Sequence, residues 1–180
     1  DMEPEAHDTP FGERSSAGKI FGTSGGVMEA AVRTAYHMIT GEELKNPELE
    51  AVRGMEGVKE AKIKVNDDLK IGVAVASGLK NARKILDQIK EGRDDIHFIE
   101  VMTCPGGCIN GGGQPLGINE ETVKARMKAL YKIDRTGKIR RSHENKSIQK
   151  IYEEFLGEPL SEKSHELLHT TYKKRKEVLV

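Results

Sequence analysis

The chain has 180 residues with 29 basic and 29 acidic side chains, enough for one domain and without the net charge that would draw it to nucleic acid or an anionic membrane. Four Phe, four Tyr and no Trp leave few platforms on which single-stranded bases stack. No apolar stretch approaches the roughly 20 residues that span a bilayer, no secretory signal is visible, and two cysteines suit reduced thiols in a cytoplasmic setting.

Residues 1–18 are acidic and poor in apolar side chains, with Pro4, Pro10, Gly12 and Gly18, and read as a connecting loop that depends on neighbours for order. A glycine-rich turn over residues 21–26 opens a helix predicted for 25–40, with Thr23 or Ser24 as candidate N-cap. Val27, Ala31, Ala35 and Met38 form its apolar stripe, widened by Met28, Val32 and Ile39, which implies a well-buried helix. Residues 61–66 and 69–77 read as strands joined by the short Asn66-Asp67-Asp68 link of a hairpin. The second is nearly continuous in Ile, Val and Ala, as in a sheet covered on both faces. An amphipathic helix follows over 79–91 and stops at Gly92. A strand over 96–102 then completes a βαβ unit. The remainder reads as helical over 120–131, 147–156 and 161–176. The basic stretches 124–141 and 173–176 read as solvated faces.

The chemistry concentrates in I-E-V-M-T-C-P-G-G-C-I-N-G-G-G-Q-P, residues 99–115, which holds both cysteines, Cys104 and Cys108. Thiolates are soft ligands that select iron–sulfur clusters, zinc or copper. Glycines beside them let the backbone turn tightly around a bulky cofactor. The C-x-x-x-C spacing fits neither a zinc ribbon nor a thioredoxin-like pair. Two thiolates alone cannot close a four-ligand cage. The loop follows the carboxyl end of a strand, where ligands gather in open α/β sheets. The turn at 21–26 offers helix N-terminal amides to an anion, but the lysine of a P-loop is missing.

E-V-M-T-C-P-G-G-C-I-N-G-G-G-Q-P resembles the last cysteine motif of iron-only ([FeFe]) hydrogenases. F-G-T-S-G-G-V-M-E-A-A-V-R-T, residues 21–34, resembles an upstream segment of the same catalytic domain, and I-Y-E-E-F-L-G-E-P-L-S-E-K-S-H-E-L-L-H, residues 151–169, resembles a C-terminal extension that some members carry as a small subunit. The resemblance implies reversible reduction of protons to dihydrogen at a [4Fe-4S] cluster linked to a di-iron unit with carbonyl, cyanide and dithiolate ligands (the H-cluster). It implies Cys104 as a cubane ligand and Cys108 as the cysteine bridging cubane and di-iron unit, with Phe21, Gly22 and Met102 lining the di-iron pocket. Asn110 and Gln114 follow the cysteines as candidate donors to the sulfurs.

The expected fold is α/β, a small mostly parallel sheet flanked by helices, with a helical C-terminal extension. Residues 1–118 are expected to form the C-terminal lobe of the catalytic domain and 119–180 the small-subunit-like extension. Four cysteines hold the active cluster in the family, and the motifs of the first two are absent here. Residue 1 is Asp, so the chain reads as a piece of a longer polypeptide or one half of a split enzyme. The missing N-terminal lobe is its expected partner, beside an electron carrier such as ferredoxin or NAD(P)H-linked subunits. A cytosolic iron–sulfur assembly factor related to hydrogenases shares the cysteine segment and is the alternative. A remoter one is a zinc peptidase, because His165-Glu166-Leu167-Leu168-His169 spells H-E-x-x-H without the downstream third ligand that chemistry needs.

Overall fold

The computed structural model describes residues 3, 5, 8 and 12–173. They divide into two compact units, one of residues 14–144 and one combining residues up to 13 with those from 145 onward.

In the first unit, helix α1 (Gly26–Thr40) leads to a hairpin of β1 (Val58–Lys64) and β2 (Lys70–Ser77), followed by α2 (Leu79–Lys90), β3 (Phe98–Met102) and α3 (Glu120–Thr136). The α/β expectation is met, with a small sheet ordered β1-β2-β3 that is mixed rather than mostly parallel, because the hairpin supplies an antiparallel pair. Its first pair is antiparallel, Val58 opposite Ala76, and its second parallel, Val73 opposite Phe98. The hairpin link is an Asx turn in which the Asn66 side chain accepts from the Asp68 and Leu69 amides.

The central strand shows why helices cover both faces. Val73 and Val75 alternate with Ala74 and Ala76, and all four are fully buried. The valine face packs on Met28 and Val32 of α1. The alanine face packs on Ala82 and Ile85 of α2. Each fully buried Val or Ile side chain contributes on the order of 2 kcal/mol. β1 begins three residues ahead of its expected start at 61, because Lys59 breaks the apolar pattern yet points inward.

Helices α1 and α3 meet along a seam of charge. Arg33 is fully buried and its guanidinium donates to Asp134 Oδ2 at 2.8 Å and Asp134 Oδ1 at 3.0 Å, and also pairs with Glu29 one turn back. Arg53 donates to both oxygens of Glu29 at 2.8 Å, and Arg140 to Asp134 Oδ2 at 2.8 Å. Burial alone would raise the Asp134 carboxyl, but Arg33 and Arg140 outweigh it and hold it at about 2. Helix α3 starts at an Asn119 cap, whose side chain accepts from Thr122 N at 2.9 Å, and runs five residues past its expected end at 131 because Asp134 anchors that turn.

In the second unit, the Asn145 side chain caps α4 (Lys146–Ile151) by accepting from Ser147 N, and donates to Glu13 O at 2.9 Å. A π-helical turn, Tyr152–Leu156, continues α4, so the two fill the helix expected over 147–156. Helix α5 (Glu162–Leu168) starts at a Ser161 cap and stops well short of 176. His169 is extended, with φ −105° and ψ 136°, and the β-branched Thr170 and Thr171 that follow have low helix propensity. The expected helix end and all of the basic run 173–176 after Lys173 lie outside the described residues, as does most of the loop expected over 1–11.

Candidate functional site

Strand β3 ends at Met102, half-buried, and the chain then folds into a chain of tight turns. Cys104 O accepts from Gly107 N, Gly107 O from Asn110 N and Cys108 O from Gly111 N, each at 3.0 Å. The Asn110 side chain donates to Pro105 O at 3.0 Å and closes the loop on itself. Both cysteines are free thiols, Cys104 half-buried and Cys108 exposed. The loop is anchored behind them: Ile109 packs against Val123 and Met127 of α3, and Arg126 donates to Ile109 O at 2.9 Å. At Gly111 a Cβ would lie 3.4 Å from Cys104 Sγ, so the glycine keeps the space beside that sulfur clear.

The structure brings the 21–26 turn directly onto this loop. Ser24 N donates to Gly106 O at 2.9 Å. Gly107 has φ +101°, and a Cβ there would fall 2.6 Å from Gly22 O and 2.7 Å from Ser24 N. Backbone packs on backbone, which any side chain at 107 would prevent. Phe21 and Gly22 therefore sit beside the cysteine loop, with Phe21 44% exposed. Met102 lies two residues before Cys104. Gln114 is half-buried farther along.

The cap of α1 differs from the expectation. Neither Thr23 nor Ser24 fills that role: Thr23 Oγ1 donates to Ile20 O, and the Ser24 hydroxyl pairs with that of Ser77 at 3.0 Å. The N-cap is Gly25, and the carboxylate of Glu100 on β3 accepts from Gly25 N at 2.6 Å and Met28 N at 2.7 Å. The anion-binding helix terminus inferred from the glycine turn thus holds the protein's own carboxylate. Lys59 completes the support. Its ammonium, on a side chain that is almost wholly buried, donates to Ser24 O and Gly54 O at 2.9 Å. Burial lowers its pKa to about 8, against the opposing pull of Glu100 and Glu56. Sequence reasoning missed Glu100 and Lys59, which reach Gly25 and Ser24 from 75 and 35 residues away. A charged residue at a buried strand position was the one available signal.

Two accessible thiols on one glycine-rich loop, with side-chain-free backbone next to them, form a donor set that fits a cysteine-ligated iron–sulfur group and lacks two ligands of a closed site. The apolar cleft of about 300 Å³ between α1 and the sheet, which includes Ala31, Ala35, Ile71 and Phe98, contains neither cysteine. In the H-E-x-x-H stretch His169 caps α5, so the two histidines share one side of the helix end. His165 Nδ1 and His169 Nδ1 lie 2.6 Å apart, but no third ligand joins them among the described residues.

Comparison with known proteins matches residues 1–112 to the family described as iron only hydrogenase large subunit, C-terminal domain, and residues 120–175 to iron hydrogenase small subunit. An NADP-reducing hydrogenase subunit of Solidesulfovibrio fructosivorans is 52% identical over 97% of this chain and 30% of its own length. A cytosolic Fe-S cluster assembly factor of Xenopus tropicalis is 29% identical over 96% of this chain and 36% of its own. A solved variant of the [FeFe]-hydrogenase HydA1 of Chlamydomonas reinhardtii is 41% identical, with a TM-score of 0.71 over 94% of this chain and 50% of that one. The chain thus spans between 30% and 50% of the length of these three proteins. Among the described residues no helix is long and apolar enough to cross a membrane.

Proposed function

Because the chain belongs to the iron-only hydrogenase family, we propose that it forms one lobe of an enzyme catalysing the reversible reaction 2 H+ + 2 e− to H2. In this reading Cys104 and Cys108 are two ligands of a [4Fe-4S] cluster linked to a di-iron unit, and Cys108 bridges the two. When bound, that group supplies the electron and an open iron position for proton reduction. The thiolates bind it, and a half-buried Cys104 beside an exposed Cys108 on one loop suits that role. Phe21, Gly22 and Met102 line the di-iron pocket. The Phe21 ring supplies an apolar wall that excludes water, and Gly22 lets backbone amides approach. Asn110 holds the loop shape that spaces the sulfurs. Residues 119–180 act as the small-subunit-like extension. The other cysteines and the proton-relay residues belong to a lobe outside this chain, and electrons arrive from a ferredoxin or NAD(P)H-linked subunit in the cytoplasm.

The observation that carries this reading is the backbone-on-backbone contact of the two motif loops, Gly107 against Gly22 and Ser24, beside two free thiols. The test is infrared spectroscopy of the anaerobically matured enzyme that contains this chain. Carbonyl and cyanide bands that vanish with Cys108→Ser are expected. Their absence from wild-type enzyme that retains iron and sulfide would instead favour the assembly-factor reading, for which the Xenopus relative is named.

A further inference from the structure

Away from the cysteine loop, His37 in the last turn of α1, Glu43 just beyond it and His143 in the 3-10 turn Ser142–Glu144 converge. Their ligand atoms all lie within 4.8 Å of one another. His37 Nδ1 and His143 Nε2 are each 3.0 Å from the same oxygen, Glu43 Oε1. We propose that these three side chains form a binding site for a divalent first-row transition metal, with Zn2+ the best match.

Three features favour a cation over simple hydrogen bonding. His37 Nδ1 is shielded from solvent and stands 3.0 Å from Glu43 Oε1 without hydrogen-bond geometry, while His143 Nε2 pairs with the same oxygen. The two imidazoles stack with centroids 4.3 Å apart and planes 10° from parallel. Two protonated rings in that arrangement would repel, whereas two neutral ones present nitrogens toward one shared position. Ligands about 2.0–2.1 Å from a tetrahedral zinc stand about 3.3 Å apart, so small movements from the 3.0 Å separations seat the ion.

The surroundings are those of a supported site. His143 Nδ1 lies 3.2 Å from Thr34 Oγ1, which orients the ring and turns Nε2, paired with Glu43 Oε1, toward the shared position. Arg141 Nε lies 2.7 Å from Glu43 Oε2, which holds the second carboxylate oxygen and leaves Oε1 inward. Arg141 is shared with Glu144, so its charge is divided between two carboxylates. Imidazole and carboxylate donors without thiolate select zinc-like ions over soft metals and over Ca2+ or Mg2+. His37 and Glu43 remain more than a third exposed, so water completes the shell. The ion would clip the end of α1 to a segment about a hundred residues later, alongside the Arg33–Asp134 seam.

Titration of the matured enzyme with Co2+ as a visible-band probe, and then with competing Zn2+, tests this. One equivalent is expected to give tetrahedral-type absorption without sulfur charge-transfer bands, and Zn2+ is expected to raise Tm. His37→Gln and His143→Gln should each weaken binding at least 100-fold while hydrogen evolution is unchanged, and Thr34→Val should weaken it about tenfold. No uptake at micromolar metal, or uptake indifferent to both histidine substitutions in folded, active enzyme, would overturn the assignment.

Discussion

Gly107 has no room for a side chain, and that single fact ties the two loops together. Gly107→Ala would place a methyl group against Gly22 O and Ser24 N on a backbone held at φ +101°. We expect it to cost about 1–3 kcal/mol and to lower the iron retained by purified enzyme, measured by metal analysis. An unchanged iron content would separate the loops from the cluster. Lys59 gives a second test. Its ammonium titrates at about 8 in the folded chain against 10.5 unfolded, so the unfolded chain binds more protons between those values. Stability should therefore rise as pH climbs from 8 to 10.5 and be lower below 8, by about 3 kcal/mol over the full window. Urea unfolding at the two ends should show that rise, and Lys59→Met should remove it.

The elements legible in the sequence were those written locally. The stripe of α1, the valine–alanine alternation of β2 and the amphipathic α2 each announced a period and a face, and each is found within a residue or two of its expected span. The early start of β1 and the long reach of α3 were not legible, since Lys59 and Asp134 look like surface residues until distant partners make burial tolerable. The same holds for the α1 cap, which comes from Glu100 on another element. Within the candidate site, the cysteines and the glycine turn were visible as motifs, but their contact depended on tertiary packing. The charged seam between α1 and α3 yields an acid-stability test. Asp134 is held at about 2 against an ordinary 3.8, so its contribution is complete above 3.8 and lost as pH falls toward 2. About 2 kcal/mol of stability should disappear across that window. Asp134→Asn should be less stable at neutral pH, because Arg33 is then buried without a full counter-charge, and should lose less on acidification. Equal acid sensitivity in both proteins would remove Asp134 from the account.

At the scale of the whole molecule, the described residues form two compact units, and the chain spans about a third of its hydrogenase relative. Two thiols cannot saturate a cubane, so assembly of the proposed centre requires ligands from a further lobe. A cluster bound by both lobes stabilises their docked state by mass action. Cluster loss should accordingly lower the unfolding temperature of the complete enzyme, as scanning calorimetry of matured and cluster-free protein can read. The most direct measurement is hydrogen evolution from reduced viologen by the matured enzyme, wild type against Cys108→Ser. Activity in wild type that falls to background in the variant is the expected result. Full activity in the variant would contradict the bridging role at the centre of this account.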